Sequence, residues 1–191
     1  MISAILLAAG QSKRMERENK LIKKYKGKPL INHILKSLIK SKVNKIIIVL
    51  GYESRKIRKI TLKSKKITFV FNSNYKQGIS SSIKFGLKKI NKKNKGFIIV
   101  QSDMPMITSS LINKIYYSII RNNELVHVLK NKNKIGNPIG FNISTKDKFK
   151  KIKGNMGAKK MVKKLRKNTK YLLTNSKAIF KDLDKNRSFV N

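Results

Sequence analysis

The stretch ISAILLAAGQSKRM, residues 2–15, decides the fold. Ile2 to Leu7 form a continuous apolar run of strand length, which predicts a buried strand. The run ends in the small residues Ala8, Ala9 and Gly10, so the backbone can come close to a ligand there. Consecutive backbone N–H groups in such a turn form a cradle for an anion. Taken alone, the turn is equally consistent with a purely structural role.

Two basic residues follow this turn. Arg14 can make a bidentate contact with phosphate oxygens, and Lys20 can supply a mobile positive charge to the same group. The loop contains one glycine, so it is neither a Walker loop nor the G-x-G-x-x-G fingerprint. The candidate nucleotide-binding residues of this region are Leu7, Ala8, Ala9, Gly10, Gln11, Ser12 and Lys20.

Strand and helix patterns alternate along the first two thirds of the chain. Apolar runs at 45–51, 67–71 and 96–103 predict three further strands. Apolar residues at helical spacing predict four helices. The first follows Pro29, the second lies between the second and third strands, the third begins at Ser80, and the fourth spans 111–120. Continuous apolar strands that alternate with helices predict an α/β domain with a mostly parallel sheet covered on both faces.

The last third of the chain has a less regular pattern. We expect short strands near 125–129 and 139–143, a helix over about 156–165 and a strand near 171–173. No linker or repeat interrupts the sequence, so residues 1–191 are predicted to form a single domain. Ligands of such sheets bind beyond the carboxyl ends of the strands, so the informative residues should follow each strand directly.

Asp103 follows the fourth predicted strand, in the segment VQSDMPMI. A solvated surface charge is not expected at the end of so apolar a strand. A carboxylate there suits Mg²⁺, which takes oxygen ligands and shares them with substrate phosphates. The alternative is a cap for the next helix, but Thr108 or Ser109 can also fill that role. The sequence therefore favours a metal ligand.

Three further segments combine turn residues with polar groups. GISSSIKFGL, at 78–87, is a helix start that can be a simple cap or can bind a base or ribose through Gly78, Ser80 and Ser81. GNPIGF (136–141) and KGNMGAKKM (153–161) contain clusters of Gly and Asn, which indicate tight turns in the first place and binding loops in the second. DLD, at 182–184, is a second metal site or a solvated tail. His33 and His127 lie in helix and strand patterns without a candidate nucleophile, which favours structural roles.

The composition is strongly basic, with 47 Lys and Arg against 8 Asp and Glu and a net charge of +39. Nucleic-acid binding is the obvious explanation. However, the basic residues are spread over the whole chain, only seven are arginine, and the aromatic residues do not alternate with them as a stacking platform requires. Lys, Ile and Asn share A/T-rich codons, so we favour a base bias of the genome and argue against a nucleic-acid partner.

The same composition excludes several other classes of protein. The absence of cysteine excludes disulfides, thiolate metal sites and a cysteine nucleophile. The amino-terminal apolar run is too short for a secretory leader, and no stretch approaches the roughly 20 apolar residues of a membrane span. We therefore expect a soluble cytoplasmic protein with no membrane partner.

Taken together, these segments resemble the molybdenum cofactor nucleotidyltransferase family, and especially its cytidylyltransferase branch. The resemblance runs collinearly along nearly the whole chain. The segments that carry it are LLAAGQSKRM with Lys20, GKPLINHIL, GISSSIKFGL, SDMPMI, GNPIGF, GNMGAKKM and DLD.

The resemblance implies a Rossmann-like, three-layer fold of the nucleotide-diphosphosugar transferase type. It implies Mg²⁺-dependent transfer of CMP from CTP to the terminal phosphate of the molybdenum cofactor, with release of pyrophosphate. Asp103 and Asp184 would hold the metal, with Asp182 as the alternative to Asp184, and Arg14 and Lys20 would stabilise the phosphate charges. Asn137, Pro138, Gly157 and Lys159 would contact the molybdopterin-type acceptor. A molybdoenzyme that receives the product is a further implied partner.

Other functions remain open at this stage. The same architecture serves guanylyl transfer from GTP and other small phosphorylated acceptors. A basic RNA-binding protein and a catalytically silent carrier of the cofactor are the alternatives from other classes. An Asp103→Ala variant separates these possibilities, because only a metal-dependent transferase needs this carboxylate.

Overall fold

The computed structural model describes residues 1–12, 19–91 and 93–183. Within them lie a seven-stranded sheet, a two-stranded hairpin and five α-helices. The strands are β1 (Ile2–Ala8), β2 (Lys24–Tyr25), β3 (Lys28–Pro29), β4 (Lys45–Leu50), β5 (Ile67–Phe71), β6 (Gly96–Gln101), β7 (Val126–Asn131), β8 (Lys134–Asn142) and β9 (Thr169–Leu173). The helices are α1 (Leu30–Lys40), α2 (Ser54–Ile60), α3 (Ile79–Lys88), α4 (Ser109–Arg121) and α5 (Ala158–Lys164).

The strand order of the large sheet is β5-β4-β1-β6-β8-β7-β9. The pairs β5–β4, β4–β1 and β1–β6 are parallel. β8 is antiparallel to both of its neighbours, and β9 is parallel to β7. From β1 the chain first continues to β4 on one side and later crosses to β6 on the other. The connections therefore diverge at the carboxyl ends of β1 and β6, and this divergence leaves a crevice there.

Helices cover both faces of the sheet and divide the apolar core into two layers. On β1, Ala4 and Leu6 are fully buried in the layer that includes α1 and α4, and Ile5 is fully buried in the layer that includes α3 and α5. Strands that are buried on both faces need apolar residues at successive positions, which is why their sequences are continuous apolar runs. The expected α/β fold with a mostly parallel sheet is confirmed.

The carboxyl-terminal third contains the expected elements with shifted bounds. β7 and β8 overlap the strands predicted near 125–129 and 139–143, and β9 contains the strand predicted near 171–173. α5 begins at Ala158, because Gly157 precedes it as the cap residue in an extended conformation. The β2–β3 hairpin and the 3₁₀ turns, of which the longest is Ile143–Lys151, were not predicted. Among the described residues, no helix is long and apolar enough to cross a membrane.

His127 on β7 is fully buried, and its Nδ1 lies 2.8 Å from Ser118 Oγ on α4. Burial lowers the pKa of His127 below its ordinary 6.5, although a hydrogen bond to the backbone of Glu124 and the negative charge of the Glu124 side chain act in the opposite direction. The histidine is therefore a structural residue that the fold holds neutral.

The lowered pKa of His127 predicts an acid-sensitive fold. Below pH 6.5 the unfolded chain binds a proton at His127 that the folded protein does not bind, so the free energy of unfolding falls as the pH decreases toward the folded-state pKa. We expect Tm to fall between about pH 7.5 and 5.5, and this fall to be smaller in His127→Gln. Thermal denaturation across this range checks it, and equal slopes in the two proteins would contradict it.

Candidate functional site

A cavity of about 510 Å³ lies at the carboxyl ends of β1 and β6, where the connections of the sheet diverge. It is bounded by the segment after β1, the amino-terminal end of α3, the end of β6 and the loop before α5. Its lining residues are Leu7, Ala9, Gly10, Gln11, Ser12, Lys20, Leu21, Tyr75, Lys76, Gly78, Ile79, Ser82, Gln101, Ser102, Asp103 and Asn155. The topology therefore brings segments that are far apart in the sequence to one crevice.

The segment after β1 forms one wall of this cavity. A Cβ atom added to Gly51 would lie 2.8 Å from Ala9 Cβ and 2.7 Å from Tyr75 Cβ, so glycine at position 51 allows these two lining residues to pack against its backbone. A Cβ atom added to Gly10 would instead meet no atom within 4 Å. The fold itself does not need glycine at this position, and the space in front of its backbone is open to the cavity. Ala8 does not line the cavity, unlike Leu7 and Ala9, because its side chain is buried in the core layer that includes α1 and α4.

Asp103 and Lys20 form an ion pair at the cavity. Lys20 Nζ lies 2.6 Å from Asp103 Oδ2, and both side chains are mostly buried. The other carboxylate oxygen, Oδ1, is buried and accepts no hydrogen bond from the part of the chain that the structure describes. Thr108 Oγ1 caps α4 by accepting from the Leu111 N–H, so Asp103 is not required as the cap. The carboxylate is therefore available for a ligand.

The backbone around Asp103 is tied to two other segments. Ser102 Oγ donates a 2.6 Å hydrogen bond to the Leu7 carbonyl and so joins the ends of β6 and β1. The N–H of Leu183 donates to the Asp103 carbonyl at 3.0 Å. The carboxyl-terminal DLD segment thus approaches the cavity at Leu183. The predicted metal ligand Asp184 and the predicted phosphate-binding residue Arg14 lie outside the described residues.

The amino-terminal end of α3 forms the opposite wall through Gly78, Ile79 and Ser82. The predicted Ser80 and Ser81 are buried and do not line the cavity. Ser81 Oγ donates to the carbonyl groups of Asn74 and Gly78 and accepts from Asn72, so Ser81 holds the turn that precedes the helix. The third serine of the segment, and not the first two, reaches the cavity.

The two late glycine and asparagine loops contribute unequally. Asn155 lines the cavity, whereas Gly157 caps α5 and Lys159 is exposed on that helix. Asn137 and Pro138 lie buried on β8 behind the lining. Asn137 still acts on the cavity indirectly, because its Nδ2 donates to Oε1 of the lining residue Gln101 at 3.1 Å.

Six polar or aromatic residues of the lining were not among the predicted site residues: Tyr75, Lys76, Ser82, Gln101, Ser102 and Asn155. Gln101 could have been found from its position, since it ends the same strand that leads to Asp103. Tyr75 and Lys76 lie on a 3₁₀ turn, and no periodic pattern in the sequence indicates that turn.

The backbone conformation of Gly78 predicts that a substitution at this position lowers the free energy of unfolding. Its φ of 96° with an extended ψ is a conformation that essentially only glycine adopts, and an added Cβ would lie 2.6 Å from the Gly154 carbonyl oxygen. We expect Gly78→Ala to lower the free energy of unfolding by about 2 kcal/mol. Gly157→Ala is the control, since a Cβ there makes ordinary contacts with Ile79. Denaturant unfolding measures both, and equal stabilities would contradict the assignment.

The sequence of this chain is similar to the sequences of known proteins. The chain is 32% identical over 117 residues to the bifunctional protein GlmU of Wigglesworthia glossinidia brevipalpis, which covers 60% of this chain and 25% of that protein. The chain therefore matches about a quarter of the length of this relative.

Solved structures share the fold at low sequence identity. Rv0371c from Mycobacterium tuberculosis H37Rv has a TM-score of 0.85 at 18% identity and covers 98% of this chain and 95% of that one. A complex of Rv0371c with manganese has a TM-score of 0.74 at 16% identity, covering 91% and 87%. A nucleotidyl transferase from Methanothermobacter thermautotroptrophicus, Mth528, has a TM-score of 0.82 at 18% identity, covering 99% and 94%.

A family match extends over nearly the whole domain. Residues 4–169 match the family described as MobA-like NTP transferase domain. This range contains β2 to β8 in full, β1 without its first two residues and only the first residue of β9, and it includes every lining residue of the cavity. The protein therefore belongs to the MobA-like NTP transferase domain family.

Proposed function

We propose that this protein is a nucleotidyltransferase that binds a nucleoside triphosphate and a divalent cation in the cavity at the ends of β1 and β6. The Lys20–Asp103 pair is the observation that carries the proposal. It places a positive charge for phosphates and a carboxylate for a metal beside a backbone segment that can approach a ligand closely. Membership of the family and the fold shared with Mth528 support the same conclusion.

The residues around Asp103 fit a divalent cation. Its buried Oδ1 has no hydrogen-bond donor among the described residues, although a buried carboxylate oxygen normally has one. The described residues contain no cluster of three or more His, Asp or Glu side chains. One or two carboxylates together with substrate phosphates are typical of Mg²⁺, and Asp184 is our candidate for the second ligand. The metal would supply charge neutralisation for the reacting phosphates.

The protein's own contribution is to position the substrate and to stabilise charge. Phosphoryl-type transfer needs little covalent chemistry from a protein, since alignment of the attacking and leaving oxygens and neutralisation of charge account for most of the catalysis. Backbone N–H groups from Ala9 to Ser12 would receive the phosphates. Lys20, and by resemblance Arg14, would stabilise the charge that develops on the departing pyrophosphate.

CTP is our first candidate for the nucleotide, and the terminal phosphate of the molybdenum cofactor is our first candidate for the acceptor. This narrower proposal rests on the collinear resemblance of the sequence, above all on the segment GISSSIKFGL, from which Gly78 and Ser82 line the cavity. GTP and other small phosphorylated acceptors are the competing substrates. Asn155 is a lining residue within one predicted acceptor loop, and the lining residue Gln101 accepts a hydrogen bond from Asn137 of the other.

A panel of triphosphates tests this proposal. We expect CTP with Mg²⁺ or Mn²⁺ to raise Tm more than GTP, ATP or UTP does, and to release pyrophosphate when molybdopterin is added. Release with GTP, or with another phosphorylated acceptor, would replace the narrower proposal and retain the general one. If no triphosphate changes Tm and none yields pyrophosphate with any acceptor, the transferase proposal is wrong.

Gly10 offers a test of the cradle that leaves the fold intact. A Cβ at this position meets no atom of the described residues within 4 Å, but it occupies space in front of the backbone. We expect Gly10→Ala to retain the wild-type Tm and to weaken the binding of CTP about tenfold, since the phosphates could no longer approach the N–H groups. Calorimetric titration measures this affinity. Unchanged affinity would show that the nucleotide does not contact this segment.

A further inference from the structure

Ser12 and Asn19 are joined by hydrogen bonds beside Lys20. Ser12 Oγ accepts from the Lys20 N–H at 3.2 Å and donates to Asn19 Oδ1 at 3.4 Å. Asn19 Oδ1 also accepts from the Leu21 N–H at 3.1 Å. We refer to these three bonds as the Ser12–Asn19 clasp. It connects the segment after β1 to the backbone that carries Lys20, across the sequence interval 13–18.

The clasp holds its residues in unfavourable states. Ser12 has a φ of 50°, in the left-handed region that disfavours residues with a side chain. Asn19 is completely buried, and its Nδ2 donates to no residue that the structure describes. A buried amide group without a partner is destabilising, and an apolar residue of the same size would avoid this cost. The two hydrogen bonds that Asn19 Oδ1 accepts are therefore what the asparagine contributes among the described residues, and both hold the backbone beside Lys20.

The backbone on the other side of Lys20 is also fixed. The Leu21 carbonyl accepts from the Ile31 N–H, and the Lys23 carbonyl accepts from the Leu30 N–H, so the segment is attached to the start of α1. With both sides held, the Lys20 ammonium can move only by rotation about its side-chain bonds. Its reach then includes Asp103 Oδ2, at 2.6 Å, and the cavity that both residues line.

We propose that Asn19 is a positioning residue, which acts through the clasp to direct Lys20 toward the polyphosphate of the bound nucleotide. This inference rests on the proposed function, because it assigns the phosphates as the target of Lys20. The hydrogen bonds of Asn19 and Ser12 fix the main chain of Lys20. A long side chain on a fixed main chain has fewer conformations available, so it loses less conformational entropy when it binds a ligand.

A double-mutant cycle tests whether Asn19 acts through Lys20. Asn19→Leu removes the acceptor and keeps the volume, and Ser12→Gly removes the hydroxyl while it tolerates the positive φ. We expect each variant to weaken CTP binding about tenfold and to leave cytidine binding unchanged. In a Lys20→Met background the same changes should have no further effect. Additive effects on CTP binding would overturn the proposal.

Amine labelling of the protein alone gives a second readout that does not depend on nucleotide. If the clasp holds Lys20 against Asp103, mass spectrometry should show that Lys20 is modified several-fold faster in Ser12→Gly and Asn19→Leu than in the wild type. Lys76, which lines the same cavity without a bond to the clasp, should be modified at an unchanged rate. Unchanged labelling of Lys20 in both folded variants would overturn the proposed positioning. A wild type that binds no triphosphate would instead refute the proposed function, while the labelling still decides whether the clasp positions Lys20.

Discussion

Asp103→Asn is expected to lower kcat for pyrophosphate release by about 1,000-fold, because removal of a metal ligand costs several kcal/mol of transition-state stabilisation. The asparagine has nearly the shape of the aspartate and can still accept a hydrogen bond from Lys20, so the cavity should retain its form. The carboxylate charge that would attract the cation is lost. Steady-state measurements at saturating CTP and Mg²⁺ check the expected value.

Two other acidic residues give matched controls for this variant. Asp182 is exposed in the carboxyl-terminal segment that approaches the cavity, so Asp182→Asn should retain wild-type kcat. Asp184→Asn should lower kcat if Asp184 is the second metal ligand, as we propose. If Asp103→Asn keeps its activity with the same dependence on Mg²⁺ concentration, then Asp103 does not hold the metal, whatever the two controls show.

The architecture could be predicted from the sequence because burial on both faces leaves a strong pattern. The runs that became β1, β4 and β6 are apolar at nearly every position, and such runs occur in parallel sheets covered by helices. From this expectation, the placement of Asp103 beside the segment after β1 follows directly, since both lie at carboxyl ends of neighbouring parallel strands. The general nucleotidyltransferase family is confirmed. The cytidylyltransferase branch stays a proposal.

Side-chain direction within a predicted segment could not be derived in the same way. Gly78 and the three serines after it were treated as one binding segment, but only Ser82 among the serines reaches the cavity. The helix turns by about 100° per residue, so its phase decides which hydroxyl faces the ligand. That phase depends on the turn that Ser81 and Asn72 hold. The sequence gives no sign of this contact, because its partners lie on different elements.

Long-range backbone contacts were also invisible in the sequence. The bond between the Leu183 N–H and the Asp103 carbonyl joins residues 80 positions apart and uses no side chain. A backbone hydrogen bond of this kind imposes no residue type on its partners, so no pattern can indicate it. The Gln101–Asn137 bond, which links a lining residue at the end of β6 to a predicted acceptor loop on β8, was hidden for a related reason: neither residue type indicates the partner that its side chain binds.

Lys20→Met is expected to lower kcat/KM for CTP by about 100-fold, or close to 3 kcal/mol of transition-state stabilisation. Methionine keeps most of the apolar stem of lysine and removes only the charge, so the packing beside Leu21 should survive. Lys20→Arg keeps the charge but replaces a compact ammonium with a planar fork that prefers bidentate contacts. Since Asp103 offers such a contact within reach, we expect the arginine to remain with the carboxylate and to recover only about tenfold of the loss.

Charge alone cannot explain an effect confined to Lys20, because this chain carries a net charge of +39 and loses one unit in any such variant. Lys163→Met makes the same change on the exposed surface of α5, outside the cavity lining, and should leave kcat/KM for CTP within about twofold of the wild type. Equal losses in the two methionine variants would mean that the overall positive field attracts the nucleotide. If kcat/KM for CTP falls in Lys20→Met alone and Lys20→Arg recovers only part of it, then the reaction needs an ammonium group at the position of the ion pair with Asp103.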